Sequence, residues 1–104
     1  MYDDMSSGIE DISEVTPLQY ELANNYPNPF NPTTTINYTL AKAGDVSLEV
    51  FNLLGQKVRS LVKTRQDAGS YSVQFSADGL ASGIYMYRLE TEGFMQVQKM
   101  VLLK

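Results

Sequence analysis

From Tyr20 onward, apolar side chains recur at every second position in short runs, and each run stops at a cluster of Gly, Asn, Asp or Ser. Thr34 to Leu40 sets Ile36, Tyr38 and Leu40 on one face and Thr35, Asn37 and Thr39 on the other, the pattern of a half-buried strand. Val46, Leu48 and Val50 alternate with Ser47, Glu49 and Phe51, and Tyr71, Val73 and Phe75 alternate with Ser70, Ser72, Gln74 and Ser76. Ile84 to Thr91 keeps Tyr85, Tyr87 and Leu89 together. A short strand at Tyr20 to Ala23, one over Gln56 to Thr64, and a last one over Val97 to Leu103 complete a set of seven. The Gln56–Thr64 run puts Val58 and Val62 on one face and also admits a helix, which its β-branched residues disfavour. Several short strands at regular spacing predict an all-β fold, an antiparallel sandwich or barrel.

The connections carry their own chemistry. Asn52-Leu53-Leu54-Gly55 reads as a tight turn, as do Asp67-Ala68-Gly69 and Glu92-Gly93. Asn25-Tyr26-Pro27-Asn28-Pro29-Phe30-Asn31-Pro32 packs three prolines into six positions. Proline cannot donate to a sheet ladder and pushes the residue before it toward an extended conformation, so this string predicts a rigid, ordered loop. Asp67-Ala68-Gly69-Ser70-Tyr71 and Ser82-Gly83-Ile84-Tyr85 share Gly-x-Tyr. In immunoglobulin-like sandwiches a tyrosine just inside a strand bonds back to the preceding connection, and one of these two is expected to do so.

Composition narrows the function. The 104 residues suffice for one small domain. With 12 acids against 8 Lys and Arg the net charge is −4, which argues against a nucleic-acid or anionic-membrane binder. There is no His and no Cys, so imidazole bases, thiol nucleophiles, disulfides and the usual zinc, haem and iron–sulfur ligands are excluded. No apolar run is long enough to span a membrane as a helix, and no signal peptide opens the chain. Asp3, Asp4, Glu10, Asp11 and Glu14 give residues 1–18 a charge of −5 with no Lys or Arg. That segment is expected to be a disordered acidic linker or tail, the domain proper spanning 19–104; the alternative is a short amphipathic helix carrying Ile9, Ile12 and Val15.

Candidate catalytic groupings dissolve on inspection. Glu90 and Glu92 flank a turn and read as solvated charge; Asp45, Asp67 and Asp78 sit in separate turns, where Asp bonds local backbone. Asn24, Asn25 and Asn28 with a turn Asp offer oxygens to a calcium ion, but no calcium-loop string is present. Ser60-Leu61-Val62-Lys63 spells S-x-x-K without the companion motifs of the enzymes that use it. Gly79 and Gly83 spell G-x-x-x-G between strands, not in an apolar helix. The reading is a non-enzyme with no cofactor, no small-molecule substrate and no metal site.

Taken together, the strings NYPNPFNP (25–32), VFNLLGQKV (50–58), AGSYSVQF (68–75), LASGIYMYRL (80–89) and KMVLLK (99–104) resemble the type A C-terminal sorting domain of the type IX (Por) secretion system over residues 20–104. They are similar, less closely, to the Ig-like domain of flagellar hook-capping proteins. The resemblance implies an Ig-like β-sandwich at the end of a large secreted protein of Bacteroidota and related bacteria. It implies that an outer-membrane translocon reads the module after it folds in the periplasm. A sortase-type peptidase would then cut upstream of it, within residues 1–19 here, leaving the cargo secreted or on the cell surface. The family's recognised elements fall on Gly69, Tyr71 and Val73, on Ser82, Gly83 and Tyr85, and on Lys99, Met100, Leu102 and Lys104. The chain departs from the pattern in having no leader and no cargo; both are expected upstream of Met1, making it a fragment. The final strand is expected to be a sheet edge open to strand addition, with Lys99 and Lys104 guarding it from aggregation. The competing reading is an Ig-like accessory module binding carbohydrate or protein, which exposed coplanar tyrosines would favour.

Overall fold

Residues 17–104 are described by a computed structural model, and among them there is no helix. The expected tail lies outside the described residues except for Pro17 and Leu18, as do Ile9, Ile12 and Val15. Seven strands follow in order: β1 (Glu21–Leu22), β2 (Thr33–Leu40), β3 (Gly44–Phe51), β4 (Lys57–Gln66), β5 (Gly69–Ser76), β6 (Gly83–Thr91) and β7 (Phe94–Leu102). They form two antiparallel sheets, β1-β2-β5 and β4-β3-β6-β7. The chain changes sheet after β2, β4 and β5, and two hairpins, β3–β4 and β6–β7, stay within the larger sheet. This is the antiparallel sandwich that the alternation allowed alongside a barrel, and it is consistent with the Ig-like fold that the resemblance implied.

The predicted inner faces are the core. Ile36, Tyr38 and Leu40, Val46, Leu48 and Val50, and Tyr85, Tyr87 and Leu89 are all buried, closed by Met100 and Leu102 from β7. Phe75 meets Phe30 with ring centroids 6.0 Å apart. Burying side chains of this size contributes about 1.5–3 kcal/mol each, which lets a domain without disulfides fold. Several boundaries differ from expectation, β1 being shorter and β3 starting earlier, and two differences have a visible cause. β7 begins at Phe94 rather than Val97, because Glu92-Gly93 closes a tight hairpin whose ladder starts at Thr91 opposite Phe94. β4 runs to Gln66, and its register against β3 shifts twice, leaving Leu61 and Val58 without an opposite residue.

Both Gly-x-Tyr corners form, not one. The Tyr71 hydroxyl donates to the Asp67 carbonyl at 2.6 Å, and the Tyr85 hydroxyl donates to the Ala81 carbonyl at 2.6 Å. In each, the glycine two residues earlier holds a φ near +150°, which a side-chain-bearing residue adopts only with strain. Tyr85 is buried, whereas the Tyr71 hydroxyl is exposed and its ring stacks on Tyr38 at 5.3 Å.

Candidate functional site

β7 is the edge of the four-stranded sheet, and its outer side is divided in two. At its end the proline string lies alongside it. The Phe30 N–H donates to the Val101 carbonyl at 2.9 Å, the Leu103 N–H donates to the Phe30 carbonyl at 3.0 Å, and the Val101 N–H donates to Asn28 Oδ1 at 2.9 Å. The loop thus pairs in parallel with β7, one residue long, and clamps it. The clamp is itself anchored. Phe30 is buried against Phe75. Asn25 Nδ2 donates to Thr34 Oγ1 (3.0 Å) and to the Pro27 carbonyl (3.2 Å), while the Thr34 hydroxyl donates to that same carbonyl (2.9 Å). The X-Pro bonds at Pro27, Pro29 and Pro32 are cis.

Because Val101 turns its N–H and C=O away from β6, strand alternation turns those of Lys99, Val97 and Met95 the same way. These residues have no backbone partner on that side among the described residues. Among the described residues the edge is therefore open over Met95–Lys99, while the clamp covers Val101–Leu103. A cleft of about 600 Å³ lies between Asn24–Pro29 and Gln98–Lys99.

Of the residues singled out from sequence, Ser82, Gly83 and Tyr85 sit with the terminal segment. Gly83 lies opposite Leu102, Tyr85 opposite Met100, and the Lys104 N–H donates to Ser82 Oγ at 3.0 Å. Lys99 lies opposite Met86 and is exposed, as is Lys104. Met100, Leu102 and Tyr85 are buried in the core. Gly69, Tyr71 and Val73 are not brought to this place. They line β5, in the other sheet, where Gly69 lies opposite Leu40 at the far end of the sandwich. Asn28 and Phe30 hold β7, a role the sequence does not assign them: it offers Asn28 as a calcium ligand and Phe30 only within the proline string, which is the signal that marks both.

The outer face of the larger sheet carries one charge cluster. Glu49, almost fully buried, is met by Lys57 Nζ at 3.3 Å and Arg88 at 3.2 Å, and the Arg88 guanidinium lies 4.7 Å from the centre of the Phe51 ring. Desolvation raises the Glu49 carboxyl's pKa, but the hydrogen bond and charge of Lys57 and the charge and bond of Arg88 outweigh it, and the net shift is downward. Among the described residues, no group of three or more His, Cys, Asp or Glu is placed to hold a metal. Asn24, Asn25 and Asn28 share their cleft with Lys99, whose charge opposes a cation there. Ser60 and Lys63 lie on edge strand β4, not on a buried helix. Tyr26, 80% exposed, is the one aromatic ring among the described residues that stands exposed; the stacked pairs Tyr20–Phe94 and Tyr38–Tyr71 close on themselves and form no coplanar platform.

The arrangement is a β-sandwich with an accessible strand edge at β7. A family model described as the secretion system C-terminal sorting domain matches residues 24–103. No curated protein and no solved structure matches the chain.

Proposed function

The chain belongs to the family of secretion system C-terminal sorting domains and is a sorting signal for type IX secretion of a fused upstream cargo; from that premise we propose that the outer-membrane translocon reads it by adding a strand to β7 at Met95–Lys99. The observation that carries this is the row of outward N–H and C=O groups at Met95, Val97 and Lys99, which stops where Asn28 and Phe30 take over the edge. Main-chain pairing supplies affinity in such additions, and alternate side chains supply specificity. The module folds in the periplasm and acts there without catalysis. Lys99 and Lys104 keep its edge from pairing indiscriminately. A sortase-type peptidase cuts the acidic segment before β1. Ser82, Gly83 and Tyr85 contribute by fixing the terminal segment, and Gly69, Tyr71 and Val73 by closing the opposite corner.

The test is export of a fluorescent cargo carrying a signal peptide and residues 1–104, in a host with a type IX system and in one lacking its translocon. Deleting Lys99–Lys104 removes Met100 and Leu102 from the core, so loss of export there reports folding. Val97→Pro is cleaner. The Val97 N–H makes no bond inside the domain, and proline is tolerated on an edge strand at such a position. The expected outcome is a folded protein, by circular dichroism, that is no longer exported. A folded Val97→Pro variant exported like the wild type refutes strand addition, and export without the translocon refutes the sorting reading.

A further inference from the structure

The hairpin joining β3 to β4 ends in a feature that the fold does not need. Leu53 and Leu54 are 65% and 83% exposed, two large apolar side chains side by side at the tip. Single exposed leucines are ordinary, but this pair stands on a turn held unusually firmly. Asn52 Oδ1 accepts from the Leu54 N–H (2.9 Å) and the Gln56 N–H (3.0 Å), while Asn52 Nδ2 donates to Gln56 Oε1 (2.8 Å). The Gly55 N–H donates to the Asn52 carbonyl and the Asn52 N–H to the Gln56 carbonyl, both at 3.0 Å. Gly55 takes a φ of +82°, closing the turn. A loop ordered this way presents its leucines without a further loss of backbone freedom on binding, the property that raises affinity in pre-organised contacts.

The tip also has a position. Phe51 lies opposite Met86, and Met86 opposite Lys99, so the tip projects from the end of the sheet where β6 begins and β7 ends. Two strand spacings, roughly 10 Å, separate β3 from β7. Between them a shallow depression of about 220 Å³ is lined by Phe51, Gly55, Met86, Arg88 and Val97. The depression thus runs from Gly55 of the turn to Val97 on the open edge.

We propose that Leu53 and Leu54 form a knob that enters an apolar socket on the same export protein that reads β7, giving that protein a second hold on the module. This rests on the strand-addition reading above. A protein socket fits better than an anionic bilayer: the turn's polar residues, Asn52 and Gln56, are uncharged, the neighbouring Lys57 is engaged by Glu49, and the chain is net negative. The knob adds what backbone pairing lacks, since an edge strand alone discriminates poorly among exposed sheets.

The experiment compares export of the signal-peptide cargo carrying residues 1–104 as wild type, as Leu53→Ser/Leu54→Ser and as Leu53→Met/Leu54→Met. The serine pair should leave the melting temperature of the purified chain unchanged, because neither leucine packs in the core, and should lower export by about tenfold or more, as loss of a central apolar anchor does. The methionine pair should restore it. Failure of the wild type to be exported removes the sorting reading and the knob with it. Wild-type export matched by an equally stable serine pair overturns the knob alone. Flotation of the purified chain with phosphatidylcholine or phosphatidylglycerol vesicles should show no binding; binding that the serine pair abolishes overturns the protein socket in favour of a lipid surface.

Discussion

Tyr71 and Tyr85 make the same hydrogen bond, hydroxyl to the carbonyl four residues back, at the same 2.6 Å. Replacing each with Phe removes the hydroxyl and keeps the ring. If geometry alone set the value of a hydrogen bond, the two substitutions would cost alike. Burial separates them. Tyr85 is 7% exposed, so in the Phe variant water reaches the abandoned Ala81 carbonyl poorly, and the loss belongs at the upper end of the net range, about 1.5 kcal/mol. The Tyr71 hydroxyl is at the surface, where water replaces it, and the loss should be about 0.5 kcal/mol or less. For a domain of this size the dependence on urea is about 1 kcal/mol per molar. Tyr85→Phe should therefore lower the urea midpoint by roughly 1.5 M and Tyr71→Phe by roughly 0.5 M, with unchanged slopes. Equilibrium unfolding followed by circular dichroism measures both. Equal shifts, or a larger one for Tyr71, would refute burial as the deciding factor.

Phe30→Ala should cost about 3–5 kcal/mol, because it empties a buried ring site, and should speed hydrogen exchange at the Leu103 amide. Asn28→Ala should speed exchange at Val101 with a smaller cost, near 1 kcal/mol, since one exposed acceptor is lost. Glu49's carboxyl sits below its ordinary 4.5, so its contribution is present above that pH and is lost as pH falls through the folded value. Glu49→Gln should then destabilise the chain at pH 7 by about 1 kcal/mol or less and flatten the acid limb of its stability profile. Burial, partly offset by a backbone hydrogen bond from Asn25, lifts the Tyr87 phenol to about 12. The neutral hydroxyl's contribution is full below the unfolded value of 10.0 and is lost as pH rises through the folded one. Ultraviolet titration should show Tyr87 ionising last, and Tyr87→Phe should delete that step.

What the sequence disclosed follows from what period-two burial can encode. β2, β5 and β6 have one wetter face and one drier face, so their alternation is complete; in β3 it holds on the inner face alone, and in all four the core residues were legible. β4 was less clear because two bulges put Leu61 and Val58 out of step, and the residual Val58–Val62 spacing also admits a helix, against which β-branching favours the strand. Glu49 occupies an outward position by alternation yet is buried, because Lys57 and Arg88 close over it from neighbouring strands. The proline string announced rigidity but not its destination. Asn28 meets Val101 across 73 positions, and no local pattern specifies a contact at that range. The same gap explains why the open edge was expected to run through residue 103 when it stops at 99.

The clamp ties an early part of the fold to a late one. Phe30 can find its two backbone partners after Val101 and Leu103 have been synthesised, and β7 supplies Met100 and Leu102 to a core already holding residues from every earlier strand but β4. During synthesis, or during threading through a pore from the amino end, the sandwich stays unfinished until that last strand arrives. A chain broken off upstream of Val101 keeps an unlatched loop and a gap in its core, so it presents neither the completed edge nor a stable domain. Loss of the residues from Val101 onward therefore costs the module its latch and part of its core at once.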